Sequence, residues 1–195
     1  MKIAIDLNDV IRDYSRNFVK YFKKGINHSF NEDEIDFYTN NMRELLPFTS
    51  DEQYRRFVYE DYPFELYSKC PMVDKNLGRD LNEWIEFDLM DENIEVVFIS
   101  PMESDLTIQS SYSFLAKIGS RVREVYFPID SSMVWDKCDV LITADPRFFL
   151  NKKENKKIIK INKEYNKEYN TNLEYNSLLD IINDKEFINK LNNEK

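Results

Sequence analysis

The sequence predicts an α/β fold in which one parallel sheet is flanked by helices. Short apolar runs that suit buried strands alternate with segments whose apolar residues recur every three or four positions, as in amphipathic helices. Polar residues follow several of the runs directly, and open parallel sheets bind ligands beyond the carboxyl ends of their strands. The length of 195 residues suits one domain, so residues 1–195 are predicted to form a single unit.

Five short runs are the predicted strands. Their ranges are 2–6, 94–99, 123–127, 138–143 and 157–161. They are rich in Ile, Val and Phe, and polar residues or proline bound them, as expected of strands that are buried on both faces. We expect the first, second, fourth and fifth runs to lie side by side in one layer.

The remaining segments predict helices and one insert. Helical spacing covers 17–24, 75–90, 105–118 and 175–191, and Gly119 is well placed to end the third of these helices. Residues 25–75 differ, because they are rich in Asp, Glu, Tyr and Phe and contain three prolines. Short helices are expected there near 32–37 and 51–60, the second capped by Asp51. We predict that residues 25–75 form a small helical cap inserted in the domain.

Composition excludes several classes of function. A net charge of −9 disfavours binding to a nucleic-acid backbone. Three glycines are too few for a Gly-rich phosphate loop, and one histidine gives no support to a His-based triad or zinc site. No apolar run approaches the roughly 18 residues that span a bilayer. The expected location is cytoplasmic, away from membranes.

Three strand ends resemble the motifs of the haloacid dehalogenase (HAD) superfamily. Residues 6–10 (Asp-Leu-Asn-Asp-Val) resemble its first motif, Asp-x-Asp-x-(Thr/Val). Ile99-Ser100 resembles the second motif, a strand that ends in Ser or Thr, and 140–145 resembles the fourth, a strand that ends in carboxylates. The fourth motif runs into a proline after Asp145, and in this it resembles the 5′-nucleotidase-like branch of the superfamily. The resemblance implies a Rossmann-like sheet with a small cap.

The resemblance also implies a set of chemical roles. Asp6 would be the nucleophile that forms an aspartyl-phosphate, and the position of Asn8 belongs to the acid/base Asp. Ser100 would hold a phosphoryl oxygen. If the ancestral site is retained, Mg²⁺ would be held by Asp6 and Asp145. Otherwise no cofactor is expected.

The motifs depart from the family pattern at several points. Asn8 replaces the acid/base Asp, and an amide does not exchange a proton near neutral pH. Residues 105–111 contain no Lys or Arg that would match the third motif. The fourth motif allows two alignments. Either Thr143 and Ala144 stand where the family has its acids and no metal carboxylate survives, or Asp145 is the ligand.

The order of elements over residues 1–166 also resembles HAD-like proteins of crAss-like bacteriophages. That resemblance implies protein partners and a place in a virion as an alternative to the cytoplasm. The tyrosines of the insert could stack on a base, but Tyr clusters more often form packing or interface surfaces, which is the interpretation favoured here. These tyrosines are Tyr54, Tyr59, Tyr62 and Tyr67.

Three functions therefore stay open. The first is a non-catalytic HAD-fold protein that acts in protein assembly, for instance as a structural component of a phage virion. The second is a Mg²⁺-dependent phosphatase of the 5′-nucleotidase type with Asp6 as its nucleophile. The third is a module that binds a phosphorylated ligand without cleaving it. The loss of the acid/base Asp favours the functions without turnover.

Overall fold

The computed structural model describes residues 1–101, 104–122 and 124–193, and its centre is a six-stranded parallel sheet. The strand order is β3-β2-β1-β4-β5-β6, and every pair of neighbours is parallel. The strands are β1 (Lys2–Asp6), β2 (Glu95–Ile99), β3 (Val125–Tyr126), β4 (Val140–Thr143), β5 (Lys157–Ile161) and β6 (Leu173–Tyr175). This architecture is the parallel α/β sheet that the alternating pattern predicts.

The order of the strands confirms the predicted central layer. β2, β1, β4 and β5 are neighbours, and they correspond to the four runs expected to lie together. β3 is shorter than its predicted run, since Phe127 lies beyond the strand and Arg123 lies outside the described residues. β6 was not predicted at all.

Helices cover both faces of the sheet and form much of the insert. They are α1 (Tyr14–Gly25), α2 (Met42–Leu45), α3 (Asp51–Arg56), α4 (Leu77–Glu83), α5 (Asp105–Lys117), α6 (Pro146–Leu150), α7 (Leu178–Asn183) and α8 (Phe187–Asn193). Wider π-helical turns extend α3 over Phe57–Asp61 and α4 over Trp84–Leu89. None of the helices in the described ranges has the length and apolar character needed to cross a membrane.

Two helix ends show how local sequence sets the boundaries. Gly119 follows α5 with a φ of +68°, the left-handed conformation that glycine adopts without strain, as predicted. The predicted cap of α3 was wrong by one residue. Ser50 is the cap, because its hydroxyl accepts a hydrogen bond from the Gln53 N–H, whereas Asp51 is already helical.

The predicted closing helix over 175–191 was also wrong. Tyr175 belongs to β6, which pairs with β5 at the edge of the sheet. The helical remainder is split into α7 and α8 around Asp184, whose carboxylate accepts hydrogen bonds from Tyr175 and from the Glu186 N–H. A side chain that bonds nearby backbone offers the chain a turn in place of a helix, and that interrupts the helical spacing.

Separate hydrophobic clusters hold the sheet and the insert. One face of the sheet packs against α4, α5, α7 and α8, and the other face packs against Val134, Trp135 and Phe148. A further cluster joins α1 to the residues that follow it as far as Tyr67. α1 and the insert therefore share a small core that is separate from the two clusters at the sheet.

The segment made of α1 and the insert leaves and rejoins the sheet at adjacent points, so it begins before residue 25, the predicted start of the cap. The Asp13 N–H donates to the Pro71 carbonyl, and the Val73 N–H donates to the Ile11 carbonyl. The tyrosines named above serve the core of the insert. Tyr67 is fully buried, and the other three pack against the same cluster. Packing, one of the two roles expected of them, is thus the role the structure describes.

Candidate functional site

The carboxyl ends of β1, β2 and β4 bring three sequence-predicted residues to one edge of the sheet. Asp6 is the last residue of β1 and pairs with Ile99, the last residue of β2. Ser100 is therefore the first residue after β2 at this edge. β4 ends at Thr143, two residues before Asp145. Asp6, Ser100 and Asp145 are all buried. Whether these residues can play the catalytic roles expected from the sequence depends on what each side chain contacts at this edge.

Asp6 is enclosed by its own neighbours. Its side chain is 1% exposed, one oxygen accepts from the Asn8 N–H at 3.1 Å, and the other accepts from the Thr143 hydroxyl at 2.8 Å. Burial, together with the charge of Asp145, raises the pKa of Asp6 to about 7. Asp6 is therefore partly protonated at neutral pH, and each of its oxygens already accepts a hydrogen bond.

Asn8, the residue expected at the acid/base position, is fixed by Arg12. The Arg12 Nε–H donates to Asn8 Oδ1 at 2.7 Å. Because a guanidinium has no acceptor, the atom that faces it must be the amide oxygen. The Asn8 NH₂ group consequently points away from Arg12, and Asn8 lines the neighbouring cavity.

Arg12 is a buried cation that sequence analysis missed. Its side chain is 0% exposed, and it donates to Ser100 Oγ at 2.9 Å and to Ser111 Oγ at 3.0 Å. Its guanidinium carbon lies 4.9 Å from the centre of the Tyr67 ring. Within the described ranges, no carboxylate lies at ion-pair distance from Arg12. Uncharged acceptors surround this charge.

Asp9 does not take over the role missing at Asn8. Its backbone has a φ of +59°, in the left-handed region that residues other than glycine seldom adopt. The carboxylate accepts from both the N–H and the hydroxyl of Ser15, and it accepts from the Tyr165 hydroxyl at 2.9 Å. Burial and the charge of Asp9 raise the pKa of Tyr165, so this phenol stays a donor. Asp9 therefore anchors α1 to the turn after β5.

Asp145 is engaged by Arg147. Its carboxylate caps α6 by accepting from the Arg147 N–H at 2.9 Å, and both of its oxygens accept from the guanidinium. Thr143, the other residue considered for the fourth motif, accepts from the Asp145 N–H at 3.0 Å and donates to Asp6. The sequence left open whether Asp145 is a metal ligand or whether the fourth motif keeps no metal carboxylate, and in the structure both Thr143 and Asp145 have protein partners.

This arrangement does not fit Mg²⁺. The described residues contain no group of three or more Asp, Glu, His or Cys side chains that would hold a metal. Mg²⁺ is held through carboxylate oxygens and water in octahedral geometry. Here both oxygens of Asp6 and both oxygens of Asp145 accept hydrogen bonds from the protein. A metal bound at Asp145 would have to displace the Arg147 guanidinium from these oxygens.

A cavity of about 390 Å³ opens above this edge of the sheet. Asn8 and Asp145 line it from the sheet, and Tyr14, Asn41 and Tyr54 line it from α1 and the insert. Arg147 lies at its rim with more than half of its side chain exposed. The lining also includes Asp9, Glu44 and a third tyrosine, Tyr165. The cavity therefore combines a mostly polar wall with three aromatic residues, and the insert supplies part of that wall.

Four residues of this edge were not among the sequence candidates. Arg12, Arg147 and Tyr165 contact the motif residues, and Asn166 binds the Ala144 and Ile161 carbonyls at 2.9 Å each, which joins the ends of β4 and β5. A signal for Arg12 exists in the sequence, because it is a cation only two residues after the first motif. The third motif of the family places its cation after the second motif, so a cation was expected only beyond Ser100. Nothing in the local sequence around Asn166 marks it.

Comparison with known proteins identifies the fold. No family model and no curated protein matches the chain. A HAD-like hydrolase from Burkholderia xenovorans is similar in structure, with a TM-score of 0.59, 9% identity, and coverage of 96% of this chain and 97% of that one. The magnesium-bound HAD hydrolase YfnB from Bacillus subtilis has a TM-score of 0.51, 11% identity, and coverage of 92% and 96%. The chain therefore has the fold of HAD-like hydrolases.

Proposed function

We propose that this chain binds a phosphorylated small molecule in the cavity at the sheet edge and does not hydrolyse it. The observation that carries this proposal is the Arg12–Asn8 contact. Asn8 occupies the acid/base position, its oxygen is held by Arg12 at 2.7 Å, and its NH₂ group is left for the cavity. An amide in this orientation donates a hydrogen bond to an anion but moves no proton. General acid–base help contributes about 10²–10⁴-fold to such reactions.

The state of Asp6 supports binding without turnover. A nucleophile must reach phosphorus, but Asp6 is 1% exposed and both of its oxygens accept hydrogen bonds. A pKa of about 7 also leaves much of it protonated at neutral pH. Attack would require Asp6 to lose a proton and its bond to Thr143. Binding without hydrolysis requires neither of these changes.

We expect the wild-type protein to release phosphate only at background rate from nucleoside monophosphates and from an aryl phosphate, with Mg²⁺ present. Titration calorimetry with the same nucleoside monophosphates should nevertheless show saturable binding. The control is Asp6→Asn, which removes the candidate nucleophile. Turnover of ~1 s⁻¹ or more that is lost in Asp6→Asn would instead establish the Mg²⁺-dependent phosphatase.

A role in protein assembly, for instance in a phage virion, is a second proposal. Three exposed apolar side chains favour it: Ile129 (75% exposed), Leu150 (71%) and Met133 (41%). The segments that carry them are adjacent, because the Asn151 amide donates to Ser131 Oγ at 2.7 Å. Clustered exposed apolar residues are typical of interaction sites.

If this surface joins copies of the chain, light scattering should detect a defined oligomer at rising protein concentration. The double variant Ile129→Ser and Leu150→Ser should convert that oligomer to monomer, because the apolar area that drives association is reduced. The matched control is Phe87→Ser, at an exposed apolar side chain outside these two segments. A wild-type protein that stays monomeric at every concentration would count against self-assembly.

A further inference from the structure

We infer that a second cavity of this chain binds a small α-amino acid with an apolar side chain. The cavity has a volume of about 180 Å³ and lies between the start of α1, Phe37 of the insert, Val73 and the turn that follows β5. This volume is below the roughly 300–1,000 Å³ of sites that take drug-sized ligands, so a small ligand suits it. The inference goes beyond the proposed function, since it concerns another site and another class of ligand.

Three charged side chains line this cavity without an ion pair. They are Asp13, Arg16 and Lys163, and none of them lies at ion-pair distance from an opposite charge in the described part of the chain. The Asp13 carboxylate precedes α1 but does not cap it. Two cations and one anion around a small space match an amino acid, whose carboxylate would lie at the cations and whose ammonium would lie at Asp13.

The other polar side chains of the lining already have partners. Asp9 accepts hydrogen bonds from Ser15 and from the Tyr165 hydroxyl. Glu164 forms an ion pair with Lys167 outside the cavity lining. A ligand would therefore meet the three unpaired charges as its main polar contacts.

The electrostatics of Asp13 favour a ligand that carries both charges. Burial and then the charge of Asp9 raise the pKa of Asp13. The charges of Arg16 and Lys163 act in the opposite direction. An ammonium beside Asp13 would stabilise its charged form further. A ligand with only a carboxylate would bring another anion towards Asp9 and Asp13, and a ligand with only an ammonium would leave both cations unpaired.

The apolar part of the lining joins the two cores of the molecule. Phe37 packs against the cluster of α1 and the insert, whereas Val73 packs against the cluster of the sheet. Val73 also donates its N–H to the Ile11 carbonyl where the chain rejoins the sheet. An amino acid whose side chain contacts both residues would bridge the two cores. We therefore expect its binding to raise the melting temperature.

The second cavity shares one wall with the first. Asp9 and Tyr165 line both cavities, and the Tyr165 hydroxyl donates to Asp9 at 2.9 Å within that wall. Ligands on the two sides of the wall occupy different spaces. A saturating nucleoside monophosphate should therefore leave the binding of an amino acid in place.

Leucine and two of its analogues test the site on the wild-type protein. The compound 4-methylpentanoate lacks the ammonium of leucine, and 3-methylbutylamine lacks its carboxylate. We expect titration calorimetry at about pH 7 to show saturable binding of leucine with a dissociation constant of about 1 mM or lower. Each analogue should bind at least about tenfold more weakly, because it loses one charge-assisted contact.

Two variants assign the ends of the ligand to the residues. In Asp13→Asn, the preference for leucine over 4-methylpentanoate should disappear, whereas the preference over 3-methylbutylamine should remain. In Lys163→Gln, leucine should weaken by at least about fivefold, the loss of one contact to a charged group, and 3-methylbutylamine should not change. The matched controls are Asp91→Asn and Lys20→Gln, at exposed residues outside the lining. Thermal unfolding verifies that each variant is folded.

Three results would overturn the inference. The first is a wild type that does not bind leucine, or that binds it no better than the analogues, because the three charges would then be ordinary solvated side chains. The second is a preference for leucine that both folded variants retain. The third is competition between leucine and a nucleoside monophosphate, which would place leucine in the first cavity. The proposed function is measured with nucleoside monophosphates alone, so it stands or fails independently.

Discussion

As the pH rises from 5 to 8, the free energy of unfolding of the Asp6→Asn variant is expected to increase by about 2–3 kcal/mol relative to that of the wild type. Burial and the neighbouring Asp145 charge raise the pKa of folded Asp6 to about 7, whereas an unfolded Asp titrates near 3.9. Folded Asp6 thus keeps a proton that the unfolded chain has lost. The stability that Asp6 contributes by holding this proton in the folded protein is fully present below about pH 4, and it is lost as the pH rises through 7.

Asn at position 6 would keep the shape of the site without this dependence. Its oxygen still accepts from the Asn8 N–H, and its NH₂ group faces the Thr143 hydroxyl. Urea unfolding at several pH values measures the difference between the two proteins. Asp91→Asn, an exposed change of equal charge, controls for net charge. If the wild type and Asp6→Asn showed parallel pH profiles, Asp6 would have an ordinary pKa in the folded protein.

Replacing Asn166 with Ala is expected to lower the free energy of unfolding by about 3 kcal/mol. Asn166 is 0% exposed and makes three hydrogen bonds, donating to the Ala144 and Ile161 carbonyls and accepting from the Lys163 N–H. Each buried backbone group that loses its partner costs about 1 kcal/mol or more. The ends of β4 and β5 would lose the side chain that joins them.

Thermal and urea unfolding measure the cost of Asn166→Ala. The matched control is Asn176→Ala at an exposed asparagine beyond β6, which should cost less than about 0.5 kcal/mol. The variant should also weaken the contact between Tyr165 and Asp9, since Tyr165 precedes Asn166 in the same turn. A stability equal to that of the control would mean that water satisfies these carbonyls and that Asn166 holds nothing in place.

The sheet was predictable because buried parallel strands need continuous apolar runs, and four such runs stand out. β6 escaped because Leu173–Tyr175 is a short edge strand with the exposed Glu174 in its centre. A strand of this kind has no apolar run, and its pairing with β5 is settled by tertiary contacts. The closing helix failed for the same reason, since its spacing continued from residues that belong to the sheet.

The common location of Asp6, Ser100 and Asp145 at one sheet edge was predictable, and the side chains that contact them were not. Asp6, Ser100 and Asp145 end strands, so chain order alone implies that they share an edge. Arg12 and Arg147 depend on where a turn sends a long side chain, and spacing does not record that. The left-handed conformation of Asp9 likewise has no counterpart in the pattern of apolar residues.

The pairing of β1 also governs how the chain reaches its folded state. Ile3 pairs with Val96 on one side and with Val140 on the other, so the central strand has both of its partners far along the chain. Contacts between residues so distant in sequence close large loops before they are stabilised, and such topologies fold slowly. During synthesis, β1 must wait until β4 has left the ribosome. Until then its apolar residues are exposed to aggregation or to chaperones.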